Sequence, residues 1–451
     1  MKPFTIRQFT EACRGTWHGP DELLARRIQG VTVDSRLVTR NSVFVATVGE
    51  RTDGHRFIPN IYEKGALCAV SQQELSDPPG PYLLVRDTLQ ALKDAAEAYR
   101  KTLAIPVIGI TGSVGKTSTK EMIASILEQR YQVLKTPGNF NNEIGVPLTI
   151  FMIDACHEAA VLEMGMNHFG EMHRLSRMVR PTHCVFTNIG VAHLEHLGSR
   201  DGILKAKMEM LDYAAENAPI FINGDDDRLI AMKDRAVTFG RNPLNQIRAD
   251  QVENLGLDGV RCRIHAEGAD MDITIPLPGI HMVYNACAGT CVGRSLGLSM
   301  DEIRKGIEAL KPLSGRSNIL HTARYTLVDD CYNANPVSMC AMLDVLDCAL
   351  TRKVAILGDM GELGERSEAL HASVGTHLKE LHLQLLITVG TLSRSIHEAA
   401  QKAAPLTRCI HYEDTEEFLA DAGTLLEEGD AVLIKASHYM NFERIVSALS
   451  R

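Results

Sequence analysis

Apolar runs of strand length alternate with amphipathic helical segments along most of the chain. In the first part, three such runs lie at 31–36, 42–57 and 82–85 and are separated by turn residues. A helical segment follows at 89–99, where apolar or small residues recur at helical spacing. This pattern predicts a small α/β domain over residues 1–87.

The middle of the chain repeats a strand followed by a helix. The predicted strands lie at 105–110, 133–135, 159–164, 183–189 and 219–224. Two helical segments, 285–296 and 300–310, follow them. Strands separated by helices favour right-handed crossovers and a mostly parallel sheet. We expect a central domain over residues 88–313.

The last part shows the same alternation. Its predicted strands lie at 326–331, 353–359, 383–390, 408–412 and 430–437. The pattern predicts a Rossmann-like, doubly wound sheet over residues 314–451, in which ligands bind outside the carboxyl ends of the strands. The expected fold is therefore α/β with three domains.

Composition narrows the functional classes. The 451-residue chain is 45% hydrophobic and 23% charged, as folded globular proteins are, and its net charge of −9 argues against nucleic acid or an anionic membrane surface as a partner. Its 11 cysteines are scattered singly, so the pattern predicts neither a disulfide framework nor a zinc site. Without an apolar run of membrane-spanning length or a signal-peptide core, we expect a cytoplasmic protein.

The clearest chemical signal is TGSVGKTS at 111–118, between the strand that ends at Ile110 and a helical pattern at 120–129. Backbone N–H groups at a helix start cradle phosphates, Lys116 would reach the terminal phosphate, and Thr117 would bind Mg²⁺. The common P-loop pattern has a glycine in place of Ile110, so a glycine turn with a chance Lys-Thr pair is the alternative. The predicted nucleotide-binding residues are Thr111, Gly112, Ser113, Val114, Gly115, Lys116, Thr117 and Ser118.

Two side chains at predicted strand ends suit a metal site. Glu163 lies near the end of the strand at 159–164, where a carboxylate supplies the oxygen ligand that Mg²⁺ prefers. His193 follows the next strand, with His183 and His196 nearby. A lone histidine is more often a structural residue, so Glu163 is the better supported of the two.

These motifs belong to a larger set that is spread over the whole chain. The set resembles the Mur ligase family in TGSVGKTS, NFNNEIGVP at 139–147, VLEMG, NIGVAH at 188–193, LKAKMEML, GRSN at 315–318 and DDCYNANPVSM. The resemblance implies an ATP-dependent ligase that activates a carboxylate as an acyl phosphate. Ligases of this family build the peptide stem of a bacterial cell-wall precursor on UDP-N-acetylmuramoyl carboxylates.

Residues 358–371, GDMGELGERSEALH, are similar to the branch of this family that adds D-alanyl-D-alanine to UDP-N-acetylmuramoyl tripeptide. The DNPR signature of the branch that adds meso-diaminopimelate does not occur in the sequence. The resemblance therefore implies those two substrates, ATP and Mg²⁺, with the dipeptide pocket near 358–371. We expect a monomer.

The resemblance also implies the metal ligands. Thr117 matches the P-loop ligand, and Glu163 and His193 match a second Mg²⁺ site. Relatives carry a carbamylated lysine in an Ala-Lys step that matches Lys207, with Lys205 as the competing candidate and a solvated surface lysine as the alternative for either. Residues two apart on a helix point to different faces, so only one should face the metals. The implied catalytic residues are Lys116, Glu163, His193 and Lys207.

Further nucleotide contacts are implied at Asn285, Arg316 and Asp330. Asn285 lies in PGIHMVYNA at 278–286, where Met282 stands in place of a common asparagine and cannot donate as an amide does. We therefore expect looser discrimination among nucleoside triphosphates. The other departures from the family pattern are Cys331, Ala436 and His438.

Substrate contacts are implied mainly in the first domain. The DSR segment at 34–36 and the DGH loop at 49–57 match the family's uridine-diphosphate pocket, although either alone would pass for an ordinary turn. The Asn pair at 141–142 matches a substrate contact and has a polar loop as its alternative. The implied substrate-binding residues are Asp34, Ser35, Arg36, Gly49, Asp53, Gly54, His55, Asn141, Asn142, Tyr332, Asn333 and Asn335.

Two other functions use the same phosphate-binding loop. One is a related ligase, such as another stem-peptide ligase or a folylpolyglutamate synthase, and the other is a P-loop ATPase that couples hydrolysis to a partner protein. The DSR and DGH segments favour a UDP-sugar substrate over both.

Overall fold

The computed structural model describes residues 1–49, 52–190, 194–266 and 268–450. The chain forms two compact units. Unit 1 comprises Met1–Thr111, Arg130–Phe186 and Lys205–Ile220, and unit 2 comprises Gly112–Gln129, Thr187–Leu204 and Phe221–Arg451. Within the described ranges, no helix combines the length and the apolar character needed to cross a membrane.

Unit 1 begins with a five-stranded sheet. Its strands are β1 (Thr16–His18), β2 (Gly30–Thr32), β3 (Ser42–Val45), β4 (Cys68–Ser71) and β5 (Tyr82–Leu84). They pair in the order β1-β5-β4-β3-β2, and all pairs except β1-β5 are parallel. The accompanying helices are α1 (Ile6–Cys13), α2 (Ile58–Ile61) and α3 (Thr88–Lys101). Every residue of β3 and β4 is buried, as expected for central strands of a parallel sheet.

A second group of strands in unit 1 is wholly parallel. It contains β6 (Val107–Thr111), β7 (Val133–Lys135), β8 (Ala159–Glu163) and β9 (His183–Phe186), in the order β7-β8-β6-β9. The helices along this stretch are α4 (Lys116–Leu127), α5 (Gly145–Met152), α6 (Glu171–Val179), α7 (Leu194–Leu197) and α8 (Arg200–Met208). Of these, α4, α7 and the first five residues of α8, 200–204, belong to unit 2.

Unit 2 continues with β10 (Ile220–Asn223), β11 (Val237–Gly240), β12 (Ile247–Asn254), β13 (Val260–Ala266) and β14 (Ala269–Ile275). Pairing is parallel from β10 to β12 and antiparallel from β12 to β14. Helices α9 (His281–Ser295) and α10 (Met300–Glu308) pack against α4. A Cβ on Gly289 would lie 2.5 Å from Ile126 Cδ1, and one on Gly306 would lie 2.4 Å from Ile126 Cα, so both glycines permit this close packing.

The last sheet of unit 2 contains β15 (Asn318–His321), β16 (Thr326–Asp329), β17 (Lys353–Gly358), β18 (Leu385–Val389), β19 (Arg408–Tyr412) and β20 (Ala431–Lys435). Their order is β15-β16-β20-β17-β18-β19, and only β15 is antiparallel. The helices are α11 (Pro336–Asp347), α12 (Ser367–His377), α13 (Arg394–Ala403), α14 (Thr415–Leu425) and α15 (Glu443–Leu449). Alternate strand residues enter two separate apolar clusters, so both faces of the sheet are covered.

The predicted α/β class is confirmed, whereas several elements differ from expectation. The strands β12, β13 and β14 were not predicted, because their alternating polar and apolar residues lack the continuous apolar runs of the parallel strands. The strands β1, β4, β11 and β15 were not predicted either, and each is only three or four residues long. The helix after the glycine-rich loop begins at Lys116, earlier than the apolar pattern indicated. The domain boundaries at 87 and 313 stay predictions.

Candidate active site

The TGSVGKTS segment forms a turn between β6 and α4. Gly115 has a φ of 81°, a left-handed conformation that glycine adopts without strain, and α4 begins at the next residue, Lys116. The Lys116 ammonium donates to the Gly112 carbonyl at 2.9 Å. A Cβ on Gly112 would lie 1.9 Å from the Thr187 hydroxyl oxygen, so a larger residue does not fit there. The turn therefore presents backbone N–H groups at a helix N-terminus, which is the arrangement that binds phosphate.

Residues that follow β9 hold this loop in shape. The Asn188 side chain accepts from the Val114 N–H at 2.9 Å and donates to the Val114 carbonyl at 3.0 Å. The Thr187 hydroxyl donates to the same carbonyl at 2.7 Å, and the Gly190 N–H donates to the Ser113 hydroxyl at 2.9 Å. The contribution of Asn188 was not predicted, because its partner is 74 residues away and no local pattern marks such a contact.

Asn285 lies on α9 close to the loop. The Thr119 hydroxyl donates to Asn285 Oδ1 at 2.9 Å, and Asn285 Nδ2 donates to Met282 Sδ at 3.3 Å. A Cβ on Gly115 would lie 3.8 Å from Asn285 Oδ1. Met282 is only 1% exposed. The thioether therefore acts as a buried acceptor that orients the Asn285 amide.

Glu163 is the last residue of β8 and is 2% exposed. Its Oε1 accepts from Asn141 Nδ2 at 2.8 Å, and its N–H donates to the Thr136 hydroxyl at 2.9 Å. Asn142 has a different local role, because its Oδ1 accepts from the Gly145 N–H at 2.9 Å, at the start of α5. The structure thus brings Asn141 to Glu163, whereas the Asn142 side chain bonds to the backbone of the turn before α5.

The two candidate lysines on α8 differ in burial. Lys207 is 1% exposed, whereas Lys205 is exposed. Glu209, just beyond α8, accepts from the N–H groups of Gly170 at 2.9 Å and His173 at 3.2 Å, at the start of α6. The burial of the Lys207 side chain favours Lys207 over Lys205 as the residue with a role inside the protein. His193 lies outside the described residues.

The DSR segment follows β2 in unit 1. The Asp34 carboxylate accepts from Arg36 Nη2 at 2.7 Å and from the Arg36 N–H at 2.9 Å, and these bonds, chiefly the side-chain one, lower the pKa of Asp34 to about 2. The Lys64 ammonium donates to the Ser35 carbonyl at 2.8 Å. Asp34 is therefore a carboxylate at neutral pH, held in a turn whose Arg36 side chain is 86% exposed.

The DGH loop is tied to the rest of unit 1 through a histidine. The Asp53 carboxylate accepts from the His55 N–H at 2.9 Å and from His55 Nδ1 at 2.6 Å, and the first of these bonds is the main cause of a lowered pKa of Asp53. His55 Nε2 accepts from the Gln72 N–H at 3.1 Å, so the proton of the neutral ring is on Nδ1. His55 is 8% exposed, and both of its ring nitrogens serve the structure.

The glycines of the DGH loop close its turn. The Gly49 N–H donates to the Thr52 carbonyl and the Gly54 N–H donates to the Thr47 carbonyl, each at 2.9 Å. A Cβ on Gly54 would lie 2.8 Å from the Thr47 carbonyl oxygen, so the close approach requires glycine. Backbone hydrogen bonds therefore hold Gly49 and Gly54 in place, whereas the sequence alone left the segment open between a substrate loop and an ordinary turn.

In unit 2, Asp330 lies directly after β16 and is 8% exposed. The Ser317 N–H donates to its Oδ1 at 2.8 Å, and the Lys435 ammonium donates to its Oδ2. The same ammonium donates to the Asn333 carbonyl at 2.8 Å. Lys435 was not predicted as a site residue, although it begins the KASH segment that resembles the late KGSR motif. It joins the end of β20 to the end of β16.

Arg316 and Tyr332 meet beside this ion pair. The Arg316 guanidinium lies 4.1 Å from the centre of the Tyr332 ring, within the range of a cation–π interaction. The His438 ring stacks on Tyr332 at 5.4 Å with an angle of 28°. The structure thus gathers two predicted residues, Arg316 and Tyr332, with His438 into one stack.

The other predicted residues of the C-terminal sheet have local roles. Asn335 caps α11, because its side chain accepts from the Ser338 N–H at 3.0 Å. The Asn333 Oδ1 accepts from the Ala334 N–H at 2.8 Å. His371, in the segment 358–371, is fully buried, and burial lowers its pKa. Its Nε2 accepts from the Met360 N–H at 2.9 Å, so it pins the GDMGEL turn onto α12.

Comparison with known families covers most of the chain. The Mur ligase family catalytic domain matches residues 27–106, the Mur ligase middle domain matches residues 110–293, and the Mur ligase glutamate ligase domain matches residues 315–438. A UDP-N-acetylmuramoyl-tripeptide–D-alanyl-D-alanine ligase of Bacillus subtilis is 35% identical over 99% of this chain and 98% of the relative. The chain belongs to the Mur ligase family.

Solved structures agree with this assignment. A MurF crystal structure from Acinetobacter baumannii matches with a TM-score of 0.91 and 32% identity, over 100% of this chain and 99% of that one. MurF ligase from Thermotoga maritima in complex with ADP matches with a TM-score of 0.82 and 29% identity, over 93% of this chain and 97% of that one. The three-part α/β organisation expected from the sequence is thus that of known Mur ligases.

The three other departures from the Mur ligase pattern all lie in or beside the C-terminal sheet. Cys331 is buried and donates to Asp329 Oδ1 at 3.0 Å, and burial raises the pKa of its thiol. Ala436 is buried against Gly358, where an added Cβ would lie 2.7 Å from the Ala436 methyl carbon. His438 has a side chain that is 63% exposed. Two of these departures are therefore packing residues, and His438 alone presents a polar group at the surface.

Proposed function

We propose that this Mur ligase joins D-alanyl-D-alanine to UDP-N-acetylmuramoyl tripeptide, with ATP converted to ADP and phosphate, in the synthesis of peptidoglycan precursor. The observation that carries the proposal is the B. subtilis ligase of that name, which is similar to this chain over nearly the full length of both. The phosphate-binding turn at 112–117 supports it, as does the MurF relative solved with ADP. Since the reaction consumes ATP, we place it in the cytoplasm, and we propose that the enzyme acts as a monomer.

The chemistry proceeds through an acyl phosphate. The terminal carboxylate of the tripeptide attacks the γ-phosphorus of ATP, and ADP leaves. The Lys116 ammonium and the N–H groups of the turn are assigned to stabilise the negative charge on the transferring phosphoryl group. The neutral amine of D-alanyl-D-alanine then attacks the acyl carbon, phosphate leaves, and the amine loses a proton as the amide forms. Holding both reactants away from water protects the acyl phosphate from hydrolysis.

The side chains suit magnesium as the accompanying metal. Thr117 supplies a hydroxyl and Glu163 a buried carboxylate, which are oxygen donors of the type Mg²⁺ prefers. We assign Thr117 to one Mg²⁺ ion, and Glu163, His193 and a carbamate on Lys207 to a second ion. Bound Mg²⁺ would neutralise charge on the phosphates.

The substrate contacts remain assignments by resemblance. We assign Asp34, Ser35, Arg36 and the loop 49–55 to the uridine diphosphate. The exposed Arg36 guanidinium and the closed turn around Gly54 support this assignment, because a fixed turn with an exposed cation suits a phosphate. We assign Asn285, Arg316 and Asp330 to the nucleotide, and Asn141, Asn142, Tyr332, Asn333 and Asn335 to the growing peptide.

ADP release should require all three substrates. An acyl phosphate made in a closed site waits for its amine, so ATP with either substrate alone should give little ADP, and the complete mixture should turn over steadily. A coupled ADP assay with UDP-tripeptides that carry meso-diaminopimelate or lysine, each with and without D-alanyl-D-alanine, measures this and identifies the third residue of the peptide. Rapid ADP release from ATP alone would indicate a partner-coupled ATPase and overturn the proposal.

Met282→Asn should raise the ATP/GTP ratio of kcat/KM severalfold. The substitution adds an amide beside Asn285, and one additional hydrogen bond contributes about 1 kcal/mol. Met282→Leu is the matched control, because it removes the sulfur acceptor without adding a donor and should not raise the ratio. An unchanged ratio in Met282→Asn would show that this position does not limit nucleotide discrimination.

A further inference from the structure

The loop between α5 and β8 brings three different metal-binding side chains together. Asp154 Oδ1, Cys156 Sγ and His157 Nδ1 all lie within 4.8 Å of one another. The sulfur lies 2.9 Å and the ring nitrogen 2.9 Å from the carboxylate oxygen, and 3.9 Å separate the sulfur from the nitrogen. Ligand atoms around a tetrahedral ion with bonds of about 2.0–2.3 Å are roughly 3.3–3.8 Å apart. The two short separations would have to open by roughly 0.4–0.9 Å to convert the cluster into a coordination site.

The Nδ1 atom of His157 lies close to both a hydrogen-bond acceptor and a hydrogen-bond donor of Asp154. His157 Nδ1 lies 2.9 Å from Asp154 Oδ1 and 3.1 Å from the Asp154 N–H. A neutral Nδ1 accepts from the N–H and then faces the carboxylate with its own lone pair. A protonated Nδ1 donates to the carboxylate and then faces the Asp154 N–H, which is also a donor. A cation between nitrogen and carboxylate removes the repulsion between their lone pairs, and the Asp154 N–H then needs a water as its acceptor.

We propose that Asp154, Cys156 and His157 form a binding site for a borderline-soft divalent cation of the Zn²⁺ class. Thiolate and imidazole ligands select such ions, whereas Mg²⁺ prefers oxygen alone. Water fills the remaining position. The site is distinct from the assigned Mg²⁺ ligands, since none of its residues belongs to that set.

The loop that carries the ligands is anchored at both ends. The Tyr99 hydroxyl donates to the Ile153 carbonyl, just before Asp154. The Glu158 N–H donates to the Gln132 carbonyl at 2.8 Å, just after His157. The Cys156 N–H donates to Asp154 Oδ1 at 3.0 Å, which holds the loop in a tight turn. The three ligands are therefore presented by a short, fixed segment, so little ordering is needed on binding.

Metal binding should displace the thiol proton. The hydrogen bond to Asp154 raises the pKa of the Cys156 thiol, so this exposed cysteine is not a reactive thiolate at neutral pH. The cation replaces that proton: the S–H bond breaks, a sulfur–metal bond forms, and the proton goes to solvent.

Cobalt titration of the full-length, tag-free enzyme tests the site. After chelator treatment, Co²⁺ should produce a near-ultraviolet thiolate-to-cobalt charge-transfer band that saturates at one ion per chain and disappears on addition of Zn²⁺. Cys156→Ser should abolish the band. Asp154→Asn and His157→Gln should weaken cobalt binding by more than the roughly 10–100-fold that loss of an outer-shell partner costs. Cys348→Ser, which changes a half-buried cysteine elsewhere, should leave the band intact.

The charge-transfer band distinguishes cobalt bound at this site from cobalt bound at the nucleotide site. Cobalt that replaces Mg²⁺ binds through oxygen and nitrogen and gives no thiolate band, so failure of the proposed ligase function would not affect the result. Cys156→Ser should keep the wild-type kcat. The absence of a thiolate band in the wild type, its persistence in Cys156→Ser, or its equal loss in Cys348→Ser would each overturn the proposal.

Discussion

Lys116→Ala should reduce ATP-dependent amide formation by roughly 10²–10³-fold or more while leaving the affinity for UDP-N-acetylmuramoyl tripeptide nearly unchanged. The ammonium reaches over the turn to the Gly112 carbonyl, and it is the cation assigned to the transferring phosphoryl group. The implied uridine-diphosphate contacts belong to unit 1, whereas Lys116 belongs to unit 2. Single-turnover ADP formation measures the first effect, and titration calorimetry with the UDP-tripeptide measures the second.

Lys311→Ala is the matched control, because it removes an exposed lysine of unit 2 and should leave both quantities at wild-type values. Lys116→Arg adds a further test. It keeps the charge but changes the shape of the cation, and it should recover only part of the rate. If Lys116→Ala lowers UDP-tripeptide affinity as much as it lowers phosphoryl transfer, the assignment of separate roles fails.

Lys207→Ala should lose most activity, by roughly 10²-fold or more, since loss of a metal ligand costs at least as much as loss of an outer-shell partner. Lys207 is 1% exposed, so its side chain lies inside the protein, as the assignment requires. An ammonium has no lone pair for Mg²⁺, whereas a carbamate offers a negative charge and two oxygens. Acetate or formate should restore part of the activity of the alanine variant by filling the vacated position.

Lys205→Ala is the matched control on the same helix, and it should neither lose activity nor respond to added carboxylic acid. Nuclear magnetic resonance of the wild-type enzyme with isotopically labelled CO₂ should show a carbamate signal that is absent from Lys207→Ala. Near-normal kcat in Lys207→Ala, or rescue in Lys205→Ala, would contradict the assignment of this helix face.

Most of the parallel strands were predictable from sequence, whereas the short parallel strands β4 and β11 and the antiparallel strands β12, β13, β14 and β15 were not. Strands such as β8 and β20 are buried along their whole length, so they appear as continuous apolar runs between helices. The strands β12, β13 and β14 alternate buried residues with exposed or half-buried ones, and this polar–apolar alternation is weak in a single sequence. Pairing between strands finally identifies them, and pairing is a property of the folded chain.

The candidate site divides in a similar way. The turn between β6 and α4 was predictable because strand, glycines, lysine and helix are contiguous in the chain. Asn188 and Lys435 were not, because each acts on a partner distant in sequence, Val114 and Asp330 respectively. The sequence did not indicate a metal site at Asp154, Cys156 and His157 for another reason. Their spacing is not that of common zinc motifs, and the turn of the backbone is what brings the three ligand atoms together.

The sequence by itself determined the class of fold, the glycine-rich turn before α4 and the family, because each is encoded by residues that are adjacent in the chain or by motifs spread in a fixed order along it. Only the tertiary structure showed that Lys207 is buried and Lys205 exposed, since two lysines in one helix look alike until packing buries one of them. It also decided that Met282 is a buried acceptor for Asn285, and that His55 and His371 hold loops in place. The physical reason is that burial and hydrogen-bond partners depend on which distant segments the fold brings into contact.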